Sequence, residues 1–164
     1  MKKMNRRNFL AVSGLAASTS TIAIPKLSAS HYIAGDDVIK VGLIGCGGRG
    51  TGAASQALMS KQNVRLVAMA DAFQDQVDKC YKNLTNPNFT DWSTGEIVDL
   101  SKQIDVTEDQ KFVGFDAYKK VIELCDVVLI ATPPGFRPIH FEAAVNADKH
   151  VFICLLYTSP SPRD

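Results

Sequence analysis

Paired cysteine motifs and long uninterrupted apolar runs are both absent from this 164-residue sequence. Cys46, Cys80 and Cys125 lack the close spacing that is typical of zinc or redox sites, so we expect no metal site. We interpret them as buried thiols and expect no required disulfide. The apolar stretch at residues 9–24 is diluted by Ser, Thr and Gly, which makes it too short and too polar for a stable membrane span.

Acidic residues are absent from the first 30 positions, which contain five Lys and Arg. A basic start followed by the apolar stretch 9–24 is typical of a signal peptide. Residues 5–10, which include Arg6 and Arg7, resemble the twin-arginine export signal. We therefore expect cleavage after Ser30 and export to the periplasm by the twin-arginine machinery.

The last eleven residues, 154–164, match the translation of the end sequence and adapter of a transposase-based sequencing library. We interpret them as an artefact fused to a truncated reading frame and exclude them from the fold. The remaining core, residues 31–153, holds 12 basic and 16 acidic residues and has room for one hydrophobic core. Its mild acidity argues against nucleic acid as a partner.

Predicted strands and predicted helices alternate along the core. The β-branched runs 38–44 and 64–70 predict buried strands, and the segments 51–60 and 73–83 after them predict helices. A polar insertion at about 84–111 interrupts the alternation, with one short helix expected at 94–104. The alternation then resumes with a strand at 111–115, a helix from an Asp116 N-cap to about 124, a strand at 126–131, a helix with Pro138 in its first turn to about 147, and a strand at 151–153. This order predicts an α/β domain with a parallel sheet and right-handed crossovers.

A glycine pattern lies between the first strand and the first helix. Gly45, Gly47 and Gly50 have the spacing of a dinucleotide-binding fingerprint in the strand–helix context that the motif requires. We expect Gly45 to permit the tight turn, Gly47 to let the backbone approach a pyrophosphate, and Gly50 to allow close helix packing. The N–H groups at the helix start would then face the phosphates.

Asp71 ends the second strand, 21 residues after Gly50. A carboxylate at this position can accept hydrogen bonds from the ribose hydroxyls of NAD, whereas the 2′-phosphate of NADP would meet its negative charge. We therefore expect the cofactor to be NAD in preference to NADP.

These motifs resemble the glucose-fructose oxidoreductase, inositol dehydrogenase and MocA-like family of oxidoreductases, and most closely its exported bacterial branch. The resemblance covers residues 38–153 and rests on the motifs at 41–50, 70–71, 112–118, 131–134, 140–144 and 149–152. It implies a Rossmann-type doubly wound parallel sheet, followed in the family by an α/β substrate domain that is missing here.

The resemblance also implies roles for individual residues. It assigns Thr132 and Pro133 to the nicotinamide side of the cleft, and His140 matches a recurring family histidine that has either a direct role there or only a packing role. The family's Glu-Lys-Pro motif, whose lysine assists proton transfer, is replaced by residues 154–156, so we expect no catalytic residue other than His140 in this chain. Cofactor binding is assigned to Gly45, Cys46, Gly47, Gly48, Arg49, Gly50, Asp71, Thr132 and Pro133.

Three functions fit these residues. The first is an NAD-dependent oxidoreductase that removes hydride from a sugar or polyol hydroxyl, and the second is a glycosidase of the same family that uses bound NAD transiently. The third is a non-catalytic NAD-binding protein. We expect the full-length parent to be an enzyme and a homo-oligomer, and the chain as given to be inactive.

Overall fold

The structure, a computed structural model, describes residues 37–60, 63–91 and 94–154. The predicted signal peptide at 1–30 lies outside these residues, as does the segment 155–164. No helix in the described part of the chain is long and apolar enough to cross a membrane.

Strands and α-helices alternate along the described chain except between residues 85 and 110. The α-helices are α1 (Gly48–Leu58), α2 (Gln74–Leu84), α3 (Ala117–Leu124) and α4 (Arg137–Asn146). The strands are β1 (Ile39–Ile44), β2 (Val64–Asp71), β3 (Phe89–Thr90), β4 (Ile97–Val98), β5 (Lys111–Val113), β6 (Val127–Ile130) and β7 (His150–Ile153). Five of them form one parallel sheet in the order β5-β2-β1-β6-β7. The predicted α/β fold with a parallel sheet is therefore confirmed.

Apolar side chains bury both faces of this sheet. On one face, Leu43 and Leu66 pack in a cluster with Leu58 of α1. On the opposite face, Ile130 packs in a second cluster with Val121 of α3. Because helices cover both faces, the open part of the sheet is its edge at the carboxyl ends of the strands.

The first helix begins earlier than predicted. We expected it at 51–60, but α1 starts at Gly48, and the Thr51 N–H already donates to the Gly47 carbonyl at 2.9 Å. Glycine has a low helix propensity, so the composition of the segment did not indicate that the helix includes residues 48–50. The glycine motif consequently forms the helix start itself.

The predicted helix at 94–104 is wrong. Its first half instead supplies β4, which pairs antiparallel with β3. Gly95 adopts a positive φ of 72°, and the Thr94 N–H and hydroxyl both donate to Asp91 Oδ2, so local turn bonds replace helical ones. Only a short 3₁₀ turn at Ser101–Gln103 remains helical in this segment.

The start of α3 also differs from the prediction. Asp116 occupies the N-cap position, but its side chain makes no capping hydrogen bond. Its carboxylate accepts instead from Lys119 at 2.6 Å. Pro138 lies in the first turn of α4, as predicted.

Candidate dinucleotide-binding site

A cleft of about 590 Å³ lies at the carboxyl ends of β1, β2, β5 and β6. The chain runs from β1 outward to β2 and β5, then returns to β6 on the other side of β1, so the cleft sits where the strand order reverses. Open α/β sheets bind ligands at this point. Six of the predicted site residues line the cleft, namely Gly45, Gly47, Asp71, Thr132, Pro133 and His140.

The turn out of β1 can be made only with glycine at two positions. Gly45 has a positive φ of 95°, and a Cβ there would lie 2.9 Å from the backbone nitrogen of Thr132. A Cβ on Gly50 would lie 1.8 Å from the Gly45 carbonyl oxygen. The start of α1 is thereby packed directly against the loop that precedes it, where the glycine pattern predicted close helix packing.

The other two glycines of the loop, Gly47 and Gly48, face open space. A Cβ built on Gly47 or on Gly48 would have no atom within 4 Å among the described residues. α1 begins here without an acidic residue in its first turn and without a side-chain cap. Its first N–H groups have no intrahelical acceptor, so they can bind an anion that approaches through this space.

The Asp71 carboxylate connects two loops. Its Oδ2 accepts from the Cys46 N–H at 2.7 Å and its Oδ1 accepts from the Phe73 N–H at 3.1 Å. A carboxylate offers about four acceptor sites, so two remain for other donors. Asp71 can therefore hold the glycine loop and still accept from a ligand hydroxyl.

Thr132 and His140 form the other end of the cleft. Thr132 Oγ1 and His140 Nδ1 lie 3.1 Å apart, both buried, and the Thr132 carbonyl accepts from Arg137 Nε at 2.7 Å. The imidazole packs against Tyr118, with ring centroids 4.4 Å apart. Burial lowers the pKa of His140 below its ordinary value, so the ring is neutral at pH 7 and can accept or donate one hydrogen bond at each nitrogen.

Cys46 lines the loop through its backbone and not through its thiol. The thiol is buried and donates to the Ala70 carbonyl at 3.4 Å. A hydrogen bond with Cys80 and desolvation raise the pKa of the Cys46 thiol far above its ordinary value. Cys46 is thus a neutral packing residue and does not act as a nucleophile.

The Arg49 side chain bonds to the last described residue. Its Nε donates to the Sγ of Cys154 at 3.2 Å. The Cys154 N–H continues the ladder between β7 and β6 by donating to the Ile130 carbonyl at 3.0 Å. The side chain of Arg49, like that of Cys46, is therefore engaged with another part of the protein.

Aromatic residues that were not predicted as site residues also line the cleft. Phe73, Phe115, Tyr118 and Phe136 all line it. Each lies two to six residues after the last residue of a sheet strand. This position after a strand is the sequence signal from which they could have been predicted. No group of three or more His, Cys, Asp or Glu in the described ranges is arranged to hold a metal ion.

Comparison with solved structures gives proteins of related fold. Scyllo-inositol dehydrogenase from Lactobacillus casei with bound NAD(H) and scyllo-inositol shares 26% identity at a TM-score of 0.49, and its apo form shares 24% at 0.50. Myo-inositol 2-dehydrogenase from Lactobacillus plantarum shares 22% at 0.48. In each case 71% of this chain is aligned, and it spans 28% of the other chain.

Comparison with curated proteins finds no match. The family model described as an oxidoreductase family with an NAD-binding Rossmann fold matches residues 39–153, which is well over half of the chain. The matched range runs from the start of β1 to the end of β7 and contains every residue of the cleft. The chain therefore belongs to the GFO/IDH/MocA oxidoreductase family and comprises its NAD-binding Rossmann domain.

Proposed function

We propose that this chain is the cofactor-binding part of an exported NAD-dependent oxidoreductase that acts on a sugar or polyol hydroxyl. The observation that carries the proposal is the convergence of the glycine loop, Asp71 and Thr132 on one cleft at the point of strand reversal. Family membership supports the cofactor. The substrate class follows from the motif resemblance at 131–134, 140–144 and 149–152.

The residues present fit a dinucleotide. The open space over Gly47 and Gly48, together with the uncapped start of α1, suits a pyrophosphate. The two remaining acceptor sites of Asp71 suit the two hydroxyls of the adenosine ribose, and its charge disfavours a 2′-phosphate. Thr132 and Pro133 would lie on the nicotinamide side.

When bound, NAD supplies the hydride acceptor of the reaction. The contribution of this chain is to bind and orient that group, since the neutral His140 holds the Thr132 hydroxyl in place at 3.1 Å. We assign proton transfer at the reacting hydroxyl to a lysine that the family carries two positions after Ile153. We further propose that residues 154–164 are not native and that the parent is exported and homo-oligomeric.

The experiment is to sequence the gene past codon 153 and to assay the recovered protein. We expect an acidic residue, Lys and Pro after Ile153, and reduction of NAD, measured by absorbance at 340 nm, when sugars or polyols are added. The 164-residue chain, assayed beside it, should show no turnover. Native reads through Cys154 to Asp164, or turnover by the short chain, would contradict this assignment.

A second arm of the assay distinguishes the reaction types. Dialysed protein is given an aryl glycoside without added cofactor. Cleavage would identify the NAD-dependent glycosidase and overturn the dehydrogenase proposal. Tight NAD binding without either activity would leave a non-catalytic NAD-binding protein as the function.

A further inference from the structure

Arg137 gives the cleft its positive charge. Of the described residues that line the cleft, it alone is a Lys or Arg, and most of the others are apolar residues or glycines. The residue is half-buried. Charges are screened less in apolar surroundings than in water, so a guanidinium at this position attracts an anion more strongly than one on the open surface.

A hydrogen bond holds Arg137 at the Thr132 end of the cleft. Arg137 is the first residue of α4, and its Nε donates to the Thr132 carbonyl at 2.7 Å. Thr132 is itself held by the buried His140, whose Nδ1 lies 3.1 Å from Thr132 Oγ1. Because a guanidinium is planar, the bond at Nε also restricts the direction of its Nη1 and Nη2 groups. These two nitrogens have the spacing that a carboxylate matches with two parallel hydrogen bonds.

Asp71 and the glycine loop are assigned to the cofactor in the proposed function. Asp71 would accept from the adenosine ribose, and the space over Gly47 and Gly48 would receive the pyrophosphate. Thr132 would lie on the nicotinamide side, where the substrate carbon that loses hydride must approach. The bond to Thr132 therefore places Arg137 at the substrate end of the cleft.

We propose that Arg137 determines substrate specificity by binding a carboxylate of the substrate, so that the substrate class is the sugar acids, such as uronates. The inference rests on the proposed function, because it takes the nicotinamide to lie at Thr132. The carboxylate serves only for recognition, and the hydride still leaves a carbon that bears a hydroxyl group. A neutral sugar offers only hydroxyl oxygens, which cannot reproduce the bidentate pair that a guanidinium forms with a carboxylate.

The test measures how the enzyme discriminates between sugars with and without a carboxylate. The recovered full-length protein is assayed for NAD reduction on two matched pairs, glucose with glucuronate and galactose with galacturonate, whose members differ only at C6. Arg137→Gln removes the charge, and Arg137→Lys keeps it without the planar fork. Arg65→Gln is the matched control, because Arg65 is also half-buried and donates to a backbone carbonyl, that of Lys102, but does not line the cleft.

We expect wild type to use each uronate with a kcat/KM at least about tenfold above that of its neutral partner. Arg137→Gln should lower kcat/KM for the uronates about 10- to 100-fold, the range for losing hydrogen bonds between charged groups, and mainly through a higher KM. Its kcat/KM for the neutral sugars and its NAD affinity, measured by calorimetry, should stay near wild type. Arg137→Lys should lie between the two, and Arg65→Gln should match wild type.

Failure of the proposed function and failure of this inference give different results. If the full-length protein reduces NAD with no sugar, sugar acid or polyol, the proposed function fails and the inference fails with it. If it acts on neutral sugars or polyols as well as or better than on the uronates, only the inference is overturned. An equal loss for both members of a pair in Arg137→Gln would show a structural role, and a matching loss of NAD affinity would show that the charge acts on the cofactor. Either result also overturns the inference.

Discussion

The Cys46 backbone N–H donates a 2.7 Å hydrogen bond to Oδ2 of Asp71, across 25 residues of sequence. This bond joins the loop after β1 to the loop after β2. The carboxylate that would recognise the ribose therefore also sets the position of the glycine loop that would receive the pyrophosphate. Recognition of the two parts of the cofactor is coupled through one side chain.

Replacing Asp71 by Ala should weaken NAD binding and change cofactor preference. The substitution removes a charged acceptor whose hydrogen bonds contribute about 1.5–3 kcal/mol, so NAD affinity should fall about 10- to 100-fold. NADP should be tolerated better than before, because the charge facing its 2′-phosphate is gone. Calorimetry on the recovered full-length protein measures both, and unchanged affinity together with unchanged preference would show the ribose assignment to be wrong.

The two kinds of glycine in the loop should respond differently to alanine. Gly50→Ala would place a Cβ 1.8 Å from the Gly45 carbonyl oxygen, so we expect a loss of about 3 kcal/mol or more in the free energy of unfolding. Gly47→Ala, its matched control, meets open space with an extended backbone and should stay within about 0.5 kcal/mol of wild type.

NAD affinity then separates the roles of these glycines. Gly47→Ala should bind NAD at least about tenfold more weakly, the equivalent of one lost hydrogen bond to a charged group, because the methyl group fills the approach to the backbone. Urea titration gives the stabilities and calorimetry gives the affinities. A stable Gly50→Ala protein would contradict the close packing of α1 on the loop.

His140 should make the stability depend on pH. Burial lowers the pKa of His140 in the folded protein, so the unfolded chain binds the proton more readily. This contribution to stability is complete above the unfolded pKa of about 6.5 and is lost as the pH falls from there through the lowered folded pKa.

The matched variants for this pH effect are His140→Asn and His150→Asn. Asn at 140 can still bond to Thr132 Oγ1 but does not titrate, so the decline in stability between pH 7.5 and 5 should become shallower. His150 is exposed, and its replacement should leave the decline as in wild type. Denaturant titrations at several pH values measure this, and equal slopes in all three proteins would refute the role given to His140.

The fold could be predicted from local patterns because most strands of the sheet contain several β-branched residues, and an α-helix follows each of β1, β2, β5 and β6. The hairpin of β3 and β4 in the insertion could not be predicted in this way. Its geometry depends on the turn at Asp91 and Thr94 and on the positive φ of Gly95, whereas the residue composition of 94–104 is compatible with a helix. Short polar segments are determined by such specific bonds more than by periodicity.

Site residues that belong to one local motif could be predicted. Relationships between residues that follow different strands could not. Gly45, Gly50 and Asp71 follow from their spacing and from the strand ends. The bond between Cys46 and Asp71, and the presence of Phe73 and Phe115 in one cleft, depend on the strand order β5-β2-β1. No local pattern encodes that order, so these relationships required the tertiary structure.

The export proposal concerns the amino-terminal residues. If Arg6 and Arg7 form a twin-arginine signal, replacing both by Lys in the full-length gene should leave the protein in the cytoplasm. Fractionation of cells followed by immunoblotting compares the double variant with wild type. Equal amounts of both in the periplasm would rule out this export route.

The central claim, that the cleft beside β1 binds NAD, is tested most directly by amide chemical shifts. Isotopically labelled chain is titrated with NAD to millimolar concentration, and two-dimensional ¹H–¹⁵N spectra are recorded, with NADP as the comparison. We expect the largest shifts at the amides of Gly47, Gly48 and Arg49, with weaker effects from NADP. Absence of shifts in this loop, or shifts confined to residues outside the cleft, would contradict the account.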